Sequence, residues 1–341
     1  MNSGSPDRLG DPALPDVSVV VPVHNAAATL RRAVDSALRQ HGVRVHVIVV
    51  DDHSTDLGLQ ALPRDEPRVT VLRCEGNGPA TARNAGIRAA RGEFLAFLDA
   101  DDYWLPGFLS AVTRLLRDYP ELGAASTAYL VDGGIHHRRV PSLRAETTSR
   151  LARGELPEFL ATYVKLSHAC MGSVCLRRGM LAPDDLMRED LLTGEDTEFW
   201  VYLASRLRWG YVPEALAVYD TSDHESRSDT DDPTRLPDPA SWRRRLDNTV
   251  RQGDRHTIDL LCARMARFQA RWLMLRGHPR EARQLLLGHP LCPGVLGRDL
   301  TRALVSLPYP FWRDASRLGG VLRASSVRAR RLSAALRDGR R

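Results

Sequence analysis

Three carboxylates fall within four residues at Asp99-Ala100-Asp101-Asp102, directly after the apolar run Phe94-Leu95-Ala96-Phe97-Leu98. Five apolar residues bounded by charge read as a buried strand rather than a helix. The acidic group then sits just past the carboxyl end of that strand, where open α/β sheets bind ligands. Like charges this close repel, and they stay ionised together only if a cation or hydrogen-bond donors compensate. Oxygen ligands on a loop, with room for phosphate oxygens, suit Mg²⁺ or Mn²⁺. The plainer alternative is a solvated acidic turn capping a helix that starts near Leu105-Pro106. The strand before the motif and the helix after it favour the metal site.

Two further acidic pairs stand at comparable places. Asp51-Asp52 closes a β-branched run over 45–50, and Glu195-Asp196 follows Gly194 where a helix opens. Asp51 reads as structural, bonding to backbone amides at its strand's end. Glu195-Asp196 fits two roles: acids near a helix N-terminus favour the dipole, and a carboxylate within reach of an alcohol can take its proton. A third strand end contributes Pro22-Val23-His24-Asn25. In a parallel sheet these carboxyl ends converge, although long stretches of sequence separate them.

The elements that must position these groups alternate in type. A nearly unbroken β-branched run over 17–23 is the pattern of a strand buried on both faces. The helix over 29–40 carries Leu30, Ala33, Val34, Ala37 and Leu38 on one stripe. Strands over 45–50, 69–72 and 94–98 follow, with a Gly-rich loop around Gly78 and a small-residue helix over 80–90. Short connections between alternating strands and helices predict a parallel, doubly wound sheet. A helix over 106–118 and extended segments over 122–129, 172–176 and 209–219 complete one α/β unit over 16–220. Residues 1–15 read as a disordered lead-in and 221–240 as a linker or mobile loop. Residues 132–165, with His136-His137, read as a variable insertion over the acceptor side. Beyond residue 241 the chain reads as a helical, arginine-rich appendage.

Composition sets outer bounds. The 341 residues are 43% apolar and 26% charged, ordinary for a globular protein with ample core. The net charge of +6 comes almost wholly from arginine, since Lys165 is the only lysine. Arginine bias of this kind follows genome composition as readily as function, so the charge alone does not argue for nucleic acid. The five cysteines are widely spaced, lack a C-x-x-C and read as reduced thiols rather than a zinc site. The first 16 residues do not resemble a signal peptide, and no apolar run approaches the ~20 residues that span a bilayer. A cytoplasmic protein is expected, peripheral contact with the inner face of the cell membrane being the alternative that its basic tail offers.

Taken together, Val19-Val20-Val21-Pro22-Val23-His24-Asn25, Val49-Val50-Asp51-Asp52-His53-Ser54-Thr55-Asp56, Ala82-Arg83-Asn84-Ala85-Gly86, the 92–102 stretch and Gly194-Glu195-Asp196 resemble the family 2 glycosyltransferases, which have the GT-A nucleotide-sugar fold. The resemblance covers roughly 16–220 and departs at His24, where the family more often has an aromatic, and at His53, usually glycine or asparagine. It implies a mostly parallel sheet with flanking helices and a nucleotide-sugar donor. Pro22 and Asn25 would shape the loop beneath the base, and Asp52 would accept the base's imide N–H, which suits uracil or thymine. Arg83 and the Gly78 loop would lie near the nucleotide or its phosphates. Asp99 would touch the ribose or the metal shell, and Asp101 would hold Mn²⁺ or Mg²⁺. Asp196 would be the general base, supported by Glu195, and His224 would meet metal or phosphate, although its spacing from Tyr219 is long. The resemblance implies inversion at the anomeric carbon; the acceptor could be a glycan, a lipid-linked glycan or a small molecule. A nucleotidyltransferase of related fold and a non-catalytic sugar-nucleotide-binding protein are the alternatives. The first would usually carry a basic, Gly-rich phosphate signature after strand one, where this chain has no cation until Arg31.

Overall fold

The computed structural model describes residues 14–63, 65–132, 138–139, 169–191, 194–221, 243, 245–246, 255–275 and 278–288. The readings of the lead-in up to residue 13, of His136-His137, of His224 and of the arginine-rich stretch beyond 288 fall outside these residues. By contacts the chain divides into two units, 1–225 and 226–341.

In the first unit the elements run β1 (Val17–Val23), α1 (Leu30–Leu38), β2 (Val45–Asp51), β3 (Val69–Arg73), α2 (Pro79–Ala89), β4 (Phe94–Phe97), β5 (Tyr103–Trp104), α3 (Phe108–Asp118), β6 (Leu122–Asp132), β7 (Arg138–Arg139), β8 (Val174–Arg177), α4 (Glu195–Ala204) and β9 (Arg208–Asp220). They form one sheet in the order β3-β2-β1-β4-β8-β6-β9-β5, with β7 paired to β6. The expected parallel pairing holds for β3, β2, β1 and β4. It gives way at β8, which runs antiparallel to both β4 and β6, while β6 and β9 are again parallel. The sheet is therefore mixed. Strand direction leaves no trace in local hydrophobic period, so the sequence could not carry it.

Burial explains β1. Val17, Val19, Val20 and Val21 are fully buried, with helix-covered faces on either side, as an apolar run of this length requires. Ser18 is buried too, and its hydroxyl accepts the N–H groups of Arg91 and Gly92 at 3.1 and 3.0 Å. Pro22 sits in a central strand without cost to the ladder. The Val20 carbonyl accepts the Leu98 N–H and that of Val23 accepts the Asp52 N–H. By alternation Pro22 faces the β4 side, where pairing has already ended at Phe97. Strand order reverses between β1 and β4, and this is the crevice into which α/β sheets receive ligands.

Residues 105–107 belong to no helix: the short β5 pairs with β9 and α3 starts only at Phe108. Gly107, in a left-handed conformation at φ 95°, caps α3 with no side-chain hydrogen bond. The acidic turn at 99–102 is thus not the cap of α3.

In the second unit, α5 (Arg255–Leu275) packs against α6 (Pro279–Gly288). Ile258, Leu261, Cys262, Ala266, Ala270 and Leu273 recur at helical spacing and are buried, as are Ala282 and Leu286. Among the described residues no helix is long and apolar enough to cross a membrane.

Candidate functional site

At the carboxyl tips of β1, β2 and β4 the loops are tied to one another. Asn25 takes a left-handed conformation at φ 52°, tolerated by asparagine better than by most side chains. Its Oδ1 accepts the N–H groups of Thr55 at 2.8 Å and Asp56 at 3.3 Å. Asp56 answers by accepting the Ala27 N–H at 2.8 Å. His24 Nδ1 lies 2.6 Å from the Asp52 carbonyl, which can only accept, so Nδ1 carries the proton. Asp51 accepts the Ser54 N–H at 2.9 Å, the structural part expected of it. Asp52 is buried, and both its oxygens accept the Gly78 N–H, at 3.1 and 3.0 Å. Gly78 supplies that N–H from φ 99°, outside the range of ordinary side chains, at the head of α2. The Asn25, Asp52 and Gly78 positions therefore form one connected rim.

The 99–102 turn is the acidic centre. Asp99, Asp101 and Asp102 each offer an oxygen, all within 4.8 Å of one another. Asp102 is only 2% exposed and accepts the Asp220 N–H at 2.9 Å. Burial, then the charges of Asp99 and Asp101, pushes its carboxyl well above the usual range. An array of hard oxygen donors that repel each other this strongly fits a divalent cation by its donor chemistry. The turn is held from outside by Arg32 on α1. Its guanidinium donates to the Asp101 carbonyl, pairs with Asp220 at 2.8 Å and lies 4.6 Å over the Tyr103 ring.

Arg83, on α2, is buried between two carboxylates. One terminal nitrogen donates to Asp99 Oδ1 at 2.6 Å and the other to Glu195 Oε1 at 2.9 Å. Burial works against its charge, but Asp99 and Glu195 more than offset that and hold the guanidinium protonated. The side chain is only 7% exposed. Arg83 thus bridges the β4 turn and the start of α4.

Gly194, at φ 74°, turns the chain into α4. The N-cap residue, Gly194, has no side chain to cap the helix, and Glu195 and Asp196 both lie in its first turn, where acids favour the dipole. Glu195 is buried and held by Arg83; burial, reinforced by Asp196 and opposed by Arg83, raises its carboxyl. Asp196 is half-buried and accepts the Thr197 N–H at 2.6 Å.

Sequence reasoning did not find Arg32, Asp220, Tyr129 or Tyr219. Asp220 and Tyr219 end β9 beside β5, and Asp102, Asp101, Asp99 and Asp196 all act on the Tyr219 hydroxyl. No local motif marks them: Arg32 reaches the acidic turn from α1, and the others lie on strands paired with distant ones. Of the expected set, Asn25, Asp52, Gly78, Asp99 and Asp101 lie on loops at this end of the sheet, Glu195 and Asp196 in the first turn of α4, Pro22 near the end of β1 and Arg83 within α2.

Residues 18–182 match the family model described as glycosyl transferase family 2. Among curated proteins, the succinoglycan biosynthesis protein ExoO of Rhizobium meliloti (strain 1021) is 36% identical over 209 residues, covering 58% of this chain and 57% of that protein. An uncharacterized protein, MT1568, of Mycobacterium tuberculosis is 29% identical over 61% of this chain and 68% of its own length. The chain thus spans a little over half of ExoO. Among solved structures, S. aureus TarS 1-349 in complex with UDP-GlcNAc superposes with a TM-score of 0.52 at 19% identity, over 80% of this chain and 88% of that one. The mannosyltransferase PcManGT of Pyrobaculum calidifontis, in complex with GDP-Man and Mn²⁺, gives 0.51 at 20% identity, over 92% and 86%. At these identities the superpositions establish a GT-A-like fold.

Proposed function

The chain carries a glycosyl transferase family 2 domain over residues 18–182, and from that premise we propose that it is an inverting, divalent-metal-dependent glycosyltransferase, which moves a sugar from a nucleoside-diphosphate sugar of the UDP or dTDP type to an acceptor hydroxyl. The observation that carries the proposal is the bridge by Arg83, which joins the Asp99 turn to the helix that begins Glu195-Asp196. A donor-side acidic turn and a candidate base are thereby held on one frame. Structures of the same fold with UDP-GlcNAc, and with GDP-Man and Mn²⁺, support a nucleotide-sugar donor.

Asp52 accepts the imide N–H of the base at the rim it shares with Gly78 and Asn25. Asp101 and Asp99 would hold Mn²⁺ or Mg²⁺, and a bound cation would neutralise charge developing on the departing diphosphate. Arg83 fixes the Asp99 carboxylate, so that its oxygens need not reorganise as charge moves. Asp196 takes the acceptor's hydroxyl proton as the new bond forms, a contribution of about 10²–10⁴-fold. Glu195 orients that first helical turn through its bond to Arg83. No protein nucleophile is required, and a single displacement inverts the anomeric centre.

Thermal-shift screening of the full chain with UDP-, dTDP- and GDP-sugars, with and without Mn²⁺, tests the donor and the metal together. Stabilisation by a uridine or thymidine donor that deepens with Mn²⁺ is expected. Stabilisation by none of them, with or without the ion, would sink the reading. NMR of the transferred sugar then reports its anomeric configuration.

A further inference from the structure

Three polar side chains stand four residues apart along α1, Arg32 and Ser36 within it and Gln40 just past its end. That spacing sets them on one line, and all three are used on the backbone that follows β4. Arg32 donates to the Asp101 carbonyl. The Ser36 hydroxyl accepts the Trp104 N–H at 3.1 Å. Gln40 is buried; its Nε2 donates to the Leu105 carbonyl at 3.0 Å and its Oε1 accepts the Leu109 N–H at 3.1 Å. The last bond satisfies a first-turn donor of α3, which Gly107 has no side chain to cap. The chain leaving the acidic turn is thus registered on α1 from 101 to 109.

Arg32 reaches further than its two neighbours. Its other terminal nitrogen pairs with Asp220 at 2.8 Å, and the Asp220 N–H donates to Asp102 Oδ1 at 2.9 Å. The guanidinium also lies 4.6 Å over the Tyr103 ring. One side chain therefore closes a ring of contacts through Asp101, Asp102 and Asp220. It grips the turn by a carbonyl and, one relay further on, by a carboxylate. Arg83 holds the same turn at its other end, through Asp99.

Two effects of Arg32 on a cation in this turn oppose one another. Its positive charge stands near three clustered carboxylates and by itself weakens their hold on a second cation. The side chain is 42% exposed and paired with Asp220, so that effect is screened and amounts to about fivefold at most. Its bonds, by contrast, fix where the Asp101 and Asp102 groups sit. Outer partners that orient a metal's ligands typically change affinity by about 10–100-fold. Position outweighs charge. We propose that Arg32 is a positioning residue of the cation site, holding the turn through the Asp101 carbonyl and, by way of Asp220, through the Asp102 carboxylate. This rests on the metal-dependent reading above and brings one residue of α1 and one of β9 into that site.

Mn²⁺ binding to the full chain, with UDP and separately with dTDP, is followed by the EPR signal of the free ion against nucleotide-only blanks. Arg32→Lys keeps the charge but has no planar fork to span two acceptors. Arg32→Met removes charge and donors together. Both should weaken Mn²⁺ binding at least about tenfold. Charge alone would give a different pattern, no change in the Lys variant and tighter binding in the Met variant. Ser36→Ala breaks the same line one turn on and leaves Arg32 in place. It should lower the urea midpoint yet keep Mn²⁺ affinity within about twofold of the parent. Circular dichroism checks the folding of each variant. Parent-like Mn²⁺ affinity in Arg32→Lys, tighter binding in Arg32→Met, or equal weakening in Ser36→Ala would overturn the positioning role. A parent chain that binds no Mn²⁺ with either nucleotide would instead overturn the metal-dependent reading.

Discussion

Arg83 and Glu195 lie 112 positions apart in the chain and meet through a 2.9 Å hydrogen bond in the buried layer between α2 and α4. The same guanidinium reaches Asp99 at 2.6 Å, so one cation serves a buried carboxylate, Glu195, and a half-buried one, Asp99. A buried ion pair is not in itself strongly stabilising, because desolvation opposes the attraction. Its removal is another matter. Arg83→Met leaves Asp99 and Glu195 beside each other without a donor, and should cost about 3–5 kcal/mol in urea unfolding. Arg83→Lys offers a point charge where a fork is needed and should recover only part of that. A Met variant as stable as the parent would mean that solvent, not Arg83, carries these charges.

The acidic turn yields a second expectation. Asp101 belongs to the group whose oxygens lie within 4.8 Å of each other. Outer partners of a metal site typically alter affinity by about 10–100-fold, and a direct ligand should do at least as much. Asp101→Asn should therefore weaken Mn²⁺ binding by at least about tenfold, read by titrating the ion against the melting temperature of the chain with UDP present. EDTA should abolish both the Mn²⁺-linked stabilisation and transfer in the parent. Retention of Mn²⁺-linked stabilisation by the Asn variant would remove Asp101 from the ligand set.

Asp196→Asn separates chemistry from binding. The substitution keeps the side chain's shape and its capacity to accept the Thr197 N–H, now 2.6 Å from Asp196 Oδ1. It removes the ability to take a proton. Transfer should fall by about 10²–10⁴-fold while the donor's dissociation constant, measured calorimetrically, stays near that of the parent. Normal turnover by this variant would show that the proton goes elsewhere.

The contrast between what could and could not be read beforehand follows from the range of each interaction. β1 was legible because seven residues in a row have nowhere to go but a buried strand, and its observed limits, Val17–Val23, are those the run implies. The β4 turn was legible for the same reason, since Phe94–Phe97 are all buried and the chain becomes charged where the strand ends. The antiparallel β8 was not, because nothing within Val174–Arg177 encodes which neighbour it will meet or in which direction. Side-chain partners across the fold were equally hidden. Arg83 was visible as a motif residue, yet its bond to Glu195 depends on α2 and α4 being brought together by the sheet. Tyr129 and Tyr219 look like ordinary strand aromatics until the β6–β9 register puts them on one face.

Gly86 carries the last prediction, and it tests how tightly α2 is pressed on the sheet that positions Arg83. An added Cβ would lie 2.3 Å from Val20 Cγ1 and 2.7 Å from Cγ2, and Val20 is fully buried in β1. Two effects of Gly86→Ala oppose one another. Alanine is better than glycine inside a helix by about 1 kcal/mol, whereas forcing a methyl group into a packed interior costs about 1–3 kcal/mol. With contacts this short and no flexible tip to move aside, packing should win, and unfolding experiments should show net destabilisation. Val20→Ala removes both of the methyl groups in question. In that background the same glycine substitution should cost less or become favourable, a coupling of about 0.5–3 kcal/mol in a double-mutant cycle. Additive effects of the two substitutions would mean that the helix backs away from the sheet and the strain is relieved elsewhere.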